Sequence, residues 1–372
     1  IMFAMTESVS ADLRDVVFPE TTGASFPTTV LERTEFERWA GFSSGRAALS
    51  YALRDAGIEG EDEVLTPSYS DLSVDRVVAD VATPVHVDIG EGYTMDLDHA
   101  RERITDRTKA IIPTHLFGEP CDMERVADLA AEYDLTVIED AAHALGAMHV
   151  NDEIGRHGDY CLFSFRFTKE ATIYKGGLLL GVDPPRSAAP QHDIRTVATL
   201  GGIVLGETVM RALPGPVYGA LRSTLLDPYF RTSAGFLDRG TPRRFTDRQH
   251  AMLRTQFRDL SSAVETRRRH AERYRRGLAD GIDRPPTAED HAYFRYPIQV
   301  PRSRRESMAN ALQHRGVGCS KSYSYILGPP GECPNAYRAS RRVIDLPIHA
   351  RLDAEQVDRV IEAANEVWAG FG

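Results

Sequence analysis

The sequence predicts an α/β protein: a large domain on a doubly wound, mainly parallel sheet, followed by a smaller α+β domain at the carboxyl end. Three observations lead there. Between Glu63 and Phe163, apolar runs of strand length alternate with amphipathic stretches of helix length, the order required by a parallel sheet covered with helices. Polar side chains cluster where these runs end, at Ser68, His115, Asp140 and Ser164, and ligands of such sheets sit beyond the strand carboxyl ends. After Phe245 the pattern changes to long charged helices, which places the large domain at residues 1–245 and the small one at 246–372.

In chain order, Thr34 to Trp39 is expected as a short helix leading into Phe42-Ser43-Ser44-Gly45. Ala48, Leu49, Ala52, Leu53 and Ala56 keep helical spacing, so Gly45 stands where a loop enters a helix amino terminus. Such a terminus points free N–H groups at an anion, although the same residues also make a plain Ser-Gly cap. Glu63 to Pro67 is a strand, Asp71 to Val81 a helix, Thr83 to Asp88 a strand, Asp96 to Ile104 a helix, Ala110 to Pro113 a strand and Met123 to Tyr133 a helix. Leu135 to Ile138 forms a buried strand ending at Glu139-Asp140, Tyr160 to Phe163 another ending at Ser164-Phe165, and Gly177 to Val182 closes the sheet. Residues 200–226 are apolar, Gly-rich and broken by prolines, an apolar insertion read as helices at a subunit or domain interface. Glu207, Arg211 and Arg222 interrupt it, which disfavours a membrane face. Phe245 to Leu278 is a long helical region whose run ETRRRHAERYRR reads as a solvated face. Tyr296 to Val300 as a strand, Arg304 to Arg315 as a helix and Leu352 to Val367 as a closing helix complete the small domain.

Composition narrows the function. With 44 basic against 54 acidic side chains and a formal net charge of -10, the chain lacks the cationic excess that drives nucleic-acid binding. Cys121, Cys161, Cys319 and Cys333 form no CxxC pair and read as reduced thiols of a cytoplasmic protein. The opening residues IMFAMTESVS have neither a basic region nor a long apolar core, so no signal peptide is expected. No stretch reaches the about 18 apolar residues of a membrane span, so no stable membrane anchor is expected.

The chemistry concentrates between Leu135 and Lys169. Only four of the basic residues are lysines, Lys109, Lys169, Lys175 and Lys321, so a lysine beside a strand end stands out. An arginine cannot replace an amine that must form a Schiff base, because its guanidinium does not deprotonate. Lys169 as the amine, Asp140 as a carboxylate at a strand end, His143 three residues on and Ser164 as a hydroxyl donor are the parts that pyridoxal 5'-phosphate (PLP) requires. That coenzyme needs an amine for its aldehyde, an acid for its pyridine nitrogen and donors for its phosphate. Nothing in the sequence suggests a metal site.

On the motifs IEDAAHALGA, FSFRFTK followed by Gly176-Gly177, SSGRAAL and THLFGEPCDM, the chain resembles the DegT/StrS sugar aminotransferase family, whose members have the aspartate aminotransferase fold. The resemblance implies Lys169 as the Schiff-base lysine, with Lys175 as the fallback. It implies Asp140 at the pyridinium nitrogen, His143 near the ring, and Ser164 with the backbone of Gly45 and Arg46 at the phosphate. The sequence also departs from the family. Arg46 stands where a small hydroxyl residue is usual, and Asp71 where an aromatic commonly stacks on the ring, leaving Tyr69 as the nearest substitute. Pro242-Arg243-Arg244 replaces an asparagine that reaches the partner's phosphate, so Arg243 or Arg244 would take that role. Ser322 precedes Tyr323 where a histidine is frequent, which puts Asp71, Ser322 and Tyr323 on the substrate side. The implied activity is transfer of an amino group, with glutamate as donor, to a nucleotide-linked keto-sugar in sugar or secondary-metabolite biosynthesis, by a homodimer with sites at its interface. The alternatives are another PLP reaction such as dehydration, which the retained lysine disfavours, or a PLP-binding sensor without turnover.

Overall fold

The central strands of the sheet are buried on both faces, and the sequence shows this as unbroken apolar runs. The protein is described by a computed structural model over residues 38–149, 152–155, 157–166, 169–173, 175–183, 189–190, 243–286 and 290–371. Strand β1 is Trp39–Phe42, helix α1 Gly45–Asp55, β2 Glu63–Pro67, α2 Leu72–Ala79, β3 Thr83–Val87, α3 Leu97–Glu102, β4 Thr108–Ile111, α4 Met123–Tyr133 and β5 Thr136–Asp140. Strands β6, Tyr160–Ser164, and β7, Gly177–Leu180, complete a seven-stranded sheet of order β1-β7-β6-β5-β4-β2-β3. From β3 to β6 all pairings are parallel, whereas β7 runs antiparallel to both β6 and β1. The doubly wound, mainly parallel sheet expected from the sequence is therefore present.

Short polar side chains start the helices. Ser44, Asp71, Asp96 and Asp122 each accept a backbone N–H from the first turn of α1, α2, α3 and α4. Ser44 and Asp71 follow closely on the ends of β1 and β2, so these caps also aim the amino termini of α1 and α2 at the carboxyl edge of the sheet.

The carboxyl-terminal part begins with α5, Asp247–Arg258, and α6, Leu260–Gly277. It continues with β8, Tyr296–Gln299, α7, Arg302–His314, α8, Pro334–Arg342, β9, Val343–Leu346, and α9, Ala354–Ala369. Tyr274, Ile298, Met308, Leu312, Ile344, Val360 and Ala364 share one buried cluster there. Each fully buried large apolar side chain in it contributes about 1.5–3 kcal/mol. Helix α5 sends Met252, Leu253 and Phe257 into a different cluster, with Phe163, Phe165 and Leu178 of the main sheet. Polar contacts tie the two parts together at the strand ends: Asn335 and Ala336 N–H donate to Asp88 at 2.9 and 2.8 Å, Leu327 N–H donates to the Ser68 carbonyl at 2.8 Å, and the Tyr69 hydroxyl donates to the Ser322 carbonyl at 2.9 Å.

Several details differ from the sequence reading. Trp39 begins a strand rather than ending a helix, because Trp39 to Phe42 pairs with Leu180 to Gly177, and so short a strand is set by its partner rather than by its own periodicity. β7 is consequently covered by β1 and is not the sheet edge. The long helix over 245–278 is interrupted at Asp259. Helix α8 and strand β9 carry no signal that the periodicity reading used. The apolar residues 200–226 lie outside the described residues.

Candidate active site

β6 ends at Ser164, and the chain then makes a closed loop back to β7. Phe165 N–H donates to Gly176 O at 2.9 Å, Ile173 N–H to Phe165 O at 3.1 Å and Lys169 N–H to Arg166 O at 2.8 Å. Gln256 of α5 brackets the loop, accepting from Thr172 N–H at 2.8 Å and donating to Thr172 O at 2.9 Å. Lys169 is thereby held inside, 7% exposed, with its Nζ 5.1 Å from the ring centroid of Phe294. Burial and then the Arg166 charge lower its pKa to about 7, against the pull of Asp140, Asp71 and Glu170. An amine balanced near neutrality is a nucleophile and a base in one atom. Lys175, by contrast, is exposed.

That depressed pKa is also a statement about stability. Between pH 10.5 and about 7 the unfolded chain binds a proton at Lys169 that the folded protein does not, so folding is progressively disfavoured as pH falls through this window and the penalty is constant below it. In coenzyme-free protein, Lys169→Met is expected to add a few kcal/mol of stability at neutral pH and little above pH 10.5. Urea melts of both proteins across that range check this; a difference independent of pH contradicts it.

Asp140 closes β5 and is 5% exposed, with its Oδ1 accepting the Ala142 N–H at 3.0 Å. Burial raises its pKa, while the Ala142 N–H and the charges of Lys169 and His115 work the other way. His143 stacks on Phe294 with centroids 4.2 Å apart and planes at 27°. Burial, then the nearby Lys169, Arg295 and Arg166, hold its pKa well below the usual histidine value, so the ring is neutral. Its buried Nδ1 has no hydrogen-bond partner among the described residues. An orphaned ring nitrogen of this kind is what a bound polar group would satisfy.

The amino terminus of α1 abuts the ends of β6 and β7. A Cβ on Gly177 would come within 2.4 Å of the Ser44 carbonyl oxygen, so this position needs glycine, and one on Gly45 would sit tightly, 3.1 Å from Ser164 Cβ. A helix amino terminus of this kind, with the Ser164 hydroxyl beside it, can take an anion. Arg46, the second residue of α1, is half-buried beside it. Arg243 and Arg244 form a two-residue strand, and the Arg243 carbonyl packs against Gly41 of β1.

The residues expected on the substrate side separate into two groups. Asp71 caps α2 by accepting Ser73 N–H at 2.8 Å; burial alone would raise its pKa, but that bond together with Arg166 and Lys169 holds it below the usual range. It thus belongs to the electrostatic field of Lys169. Ser322, Tyr323 and Tyr69 belong to an aromatic junction instead. Tyr69 is fully buried, 5.4 Å edge-on to Tyr323 and near Tyr93 and Phe117, with its hydroxyl committed to Ser322. Ser322 gives both its N–H and its hydroxyl to buried Asp345. Tyr93, Phe117, Tyr293 and Tyr323 all have φ between 48° and 66°, a strained region for large side chains.

Sequence reasoning missed Phe294 and Arg295. The Phe294 ring is near both Lys169 and His143, and the Arg295 guanidinium sits 5.1 Å over the same ring while donating to Ser320 Oγ at 3.1 Å. The dense run HAYFRY before β8 was the available signal, since it places aromatics on both faces of a segment entering a strand.

A near-neutral buried amine, a buried acid and an anion cradle gathered at the carboxyl ends of a parallel sheet define an enzyme of amine and carbonyl exchange. Among the described residues no group of histidines, cysteines and acids could hold a metal ion, and no helix is long and apolar enough to cross a membrane. The chain belongs to the DegT/DnrJ/EryC1/StrS aminotransferase family, whose model matches residues 23–365, and it is an aminotransferase. Enzymes of this family depend on PLP. It is 31% identical to dTDP-3-amino-3,4,6-trideoxy-alpha-D-glucose transaminase of Streptomyces venezuelae, over 96% of this chain and 89% of that one. It is 30% identical to UDP-N-acetyl-3-dehydro-alpha-D-glucosamine 3-aminotransferase of Acidithiobacillus ferrooxidans, over 86% and 81% of the two chains. The crystal structure of S. venezuelae DesV in complex with a ketimine intermediate superposes with a TM-score of 0.72 at 29% identity, covering 94% of this chain and 90% of that one.

Proposed function

We propose that this chain binds PLP at Lys169 and transfers an amino group from glutamate to the carbonyl of a nucleotide-linked keto-sugar. The observation that carries this reading is the Lys169 amine, buried near neutrality among Asp140, His143 and the Phe294 ring. The residues present fit the coenzyme. Lys169 would hold its aldehyde and Asp140 its ring nitrogen, His143 would offer the orphaned Nδ1, and Ser164 with the N–H groups at Gly45 and Arg46 would take its phosphate. Bound there, PLP supplies an electron sink for the carbon that loses its proton.

The chain's own residues do the rest. Asp140 would lie against the ring nitrogen and, when ionised, keep that nitrogen protonated. Lys169, a neutral base when its amine is free, would take the proton from the donor carbon at its Nζ and give it back. Asp71 lies close enough to Lys169 to bias that proton, and Ser322 and Tyr323 would approach from residues 246–372 on the substrate side, with Tyr69 behind them. Arg243 or Arg244 would complete a phosphate site shared across a homodimer in the cytoplasm.

The test is amino transfer from glutamate to a panel of nucleotide-linked keto-sugars, read as 2-oxoglutarate and amino-sugar formed in equal amounts. Product with a keto-sugar supports the reading; binding of PLP with no transfer to any member of the panel favours a sensor and overturns it.

A further inference from the structure

We propose that the buried Glu170–Arg267 pair is a positioning device for the Lys169 amine, clamping the loop that carries Lys169 to the segment that carries Phe294. The inference rests on the reading of Lys169 given above. Arg267 extends from α6, with Nη2 3.1 Å from Glu170 Oε1 and Nε donating to the Ala292 carbonyl at 2.7 Å. Glu170 is the next residue after Lys169, and Ala292 precedes Phe294 by two. Ala292 and Phe294 are themselves anchored, donating to the carbonyls of Gly118 and Phe117 at 2.9 and 2.8 Å. One guanidinium therefore bridges both sides of the contact between Lys169 Nζ and the Phe294 ring.

The energetics argue that stability is not what the pair supplies. The two side chains are only 6% and 4% exposed, and the desolvation of such a pair commonly cancels its attraction, so that apolar residues of similar size do as well or better. Both Glu170 carboxylate oxygens lack a hydrogen bond among the described residues. Burial pushes the Glu170 pKa up to about 7 even with Arg267 beside it. A weak ion pair in that place is better explained by where it holds Lys169. The other groups facing the lysine are Asp140 of β5, Asp71 at the start of α2, Arg166 of its own loop and His143.

The experiment uses the full chain loaded with PLP. Borohydride trapping on the unmutated protein comes first: an adduct elsewhere than Lys169 defeats the reading of the site, independently of the clamp. With that adduct in place, Glu170→Ala and the double variant Glu170→Met with Arg267→Met are expected to fold, lose about 10²-fold in kcat and lose the visible circular dichroism of the bound coenzyme. Glu170→Gln, whose amide oxygen can stand where Glu170 Oε1 faces Arg267 Nη2, should keep both. The clamp is overturned if the double variant retains kcat and the dichroic band, if Gln fails as badly as Ala, or if neither apolar variant folds, since the pair would then be a folding element.

Discussion

Replacing Lys169 by alanine is expected to lower amino transfer by about 10⁴-fold or more, because one side chain is both the attachment point of the coenzyme and the proton carrier. The structure explains why no neighbour can substitute. Lys175 is exposed. Among the described residues the cations near Lys169 are Arg166 and Arg295, whose guanidinium groups stay protonated and form no imine. The loss should come with an intact fold: the loop is held through Thr172 and Gln256, and removing a buried amine relieves the cost of desolvating it. Rates with glutamate and a keto-sugar, beside a melting curve, check this. A folded Lys169→Ala enzyme that keeps a tenth or so of the activity would contradict the assignment.

Asp140→Asn is expected to cost about 10²–10³-fold in kcat, the usual loss when one preorganised charge is removed from a site. The substitution is nearly isosteric, and the amide oxygen can still accept the Ala142 N–H that Asp140 takes at 3.0 Å. What disappears is the negative charge that would hold the ring nitrogen protonated. The effect should fall on kcat with little change in coenzyme retention, because the proposed phosphate contacts at Gly45, Arg46 and Ser164 are untouched. Steady-state rates together with the coenzyme content of the purified variant separate the two. Unchanged kcat would remove Asp140 from the chemistry.

The class of fold could be read from the sequence because a parallel sheet buried on both faces leaves continuous apolar runs, and because α1, α2, α3 and α4 announce themselves through Ser44, Asp71, Asp96 and Asp122. The cluster of Lys169, Asp140 and His143 was legible for a related reason: all three sit within a few residues of strand ends that the topology must bring to one edge. Contacts between distant segments were not legible. Trp39 joins β1 because Leu180 is opposite, Phe294 meets Lys169 from more than a hundred residues away in sequence, and Arg267 looked like one charge in a solvated run until its helix turned it inward. Tyr69 was read as the nearest substitute for a ring-stacking aromatic, and the bond by which its hydroxyl joins the sheet to Ser322 was not legible. Local pattern reports period and caps; it does not report which side chain a distant loop places opposite.

The most direct measurement of the central claim is chemical. Purified protein incubated with PLP is reduced with borohydride, digested and mapped by mass spectrometry. The account predicts a phosphopyridoxyl group on Lys169. A group on Lys175, or no modified lysine at all, would contradict it.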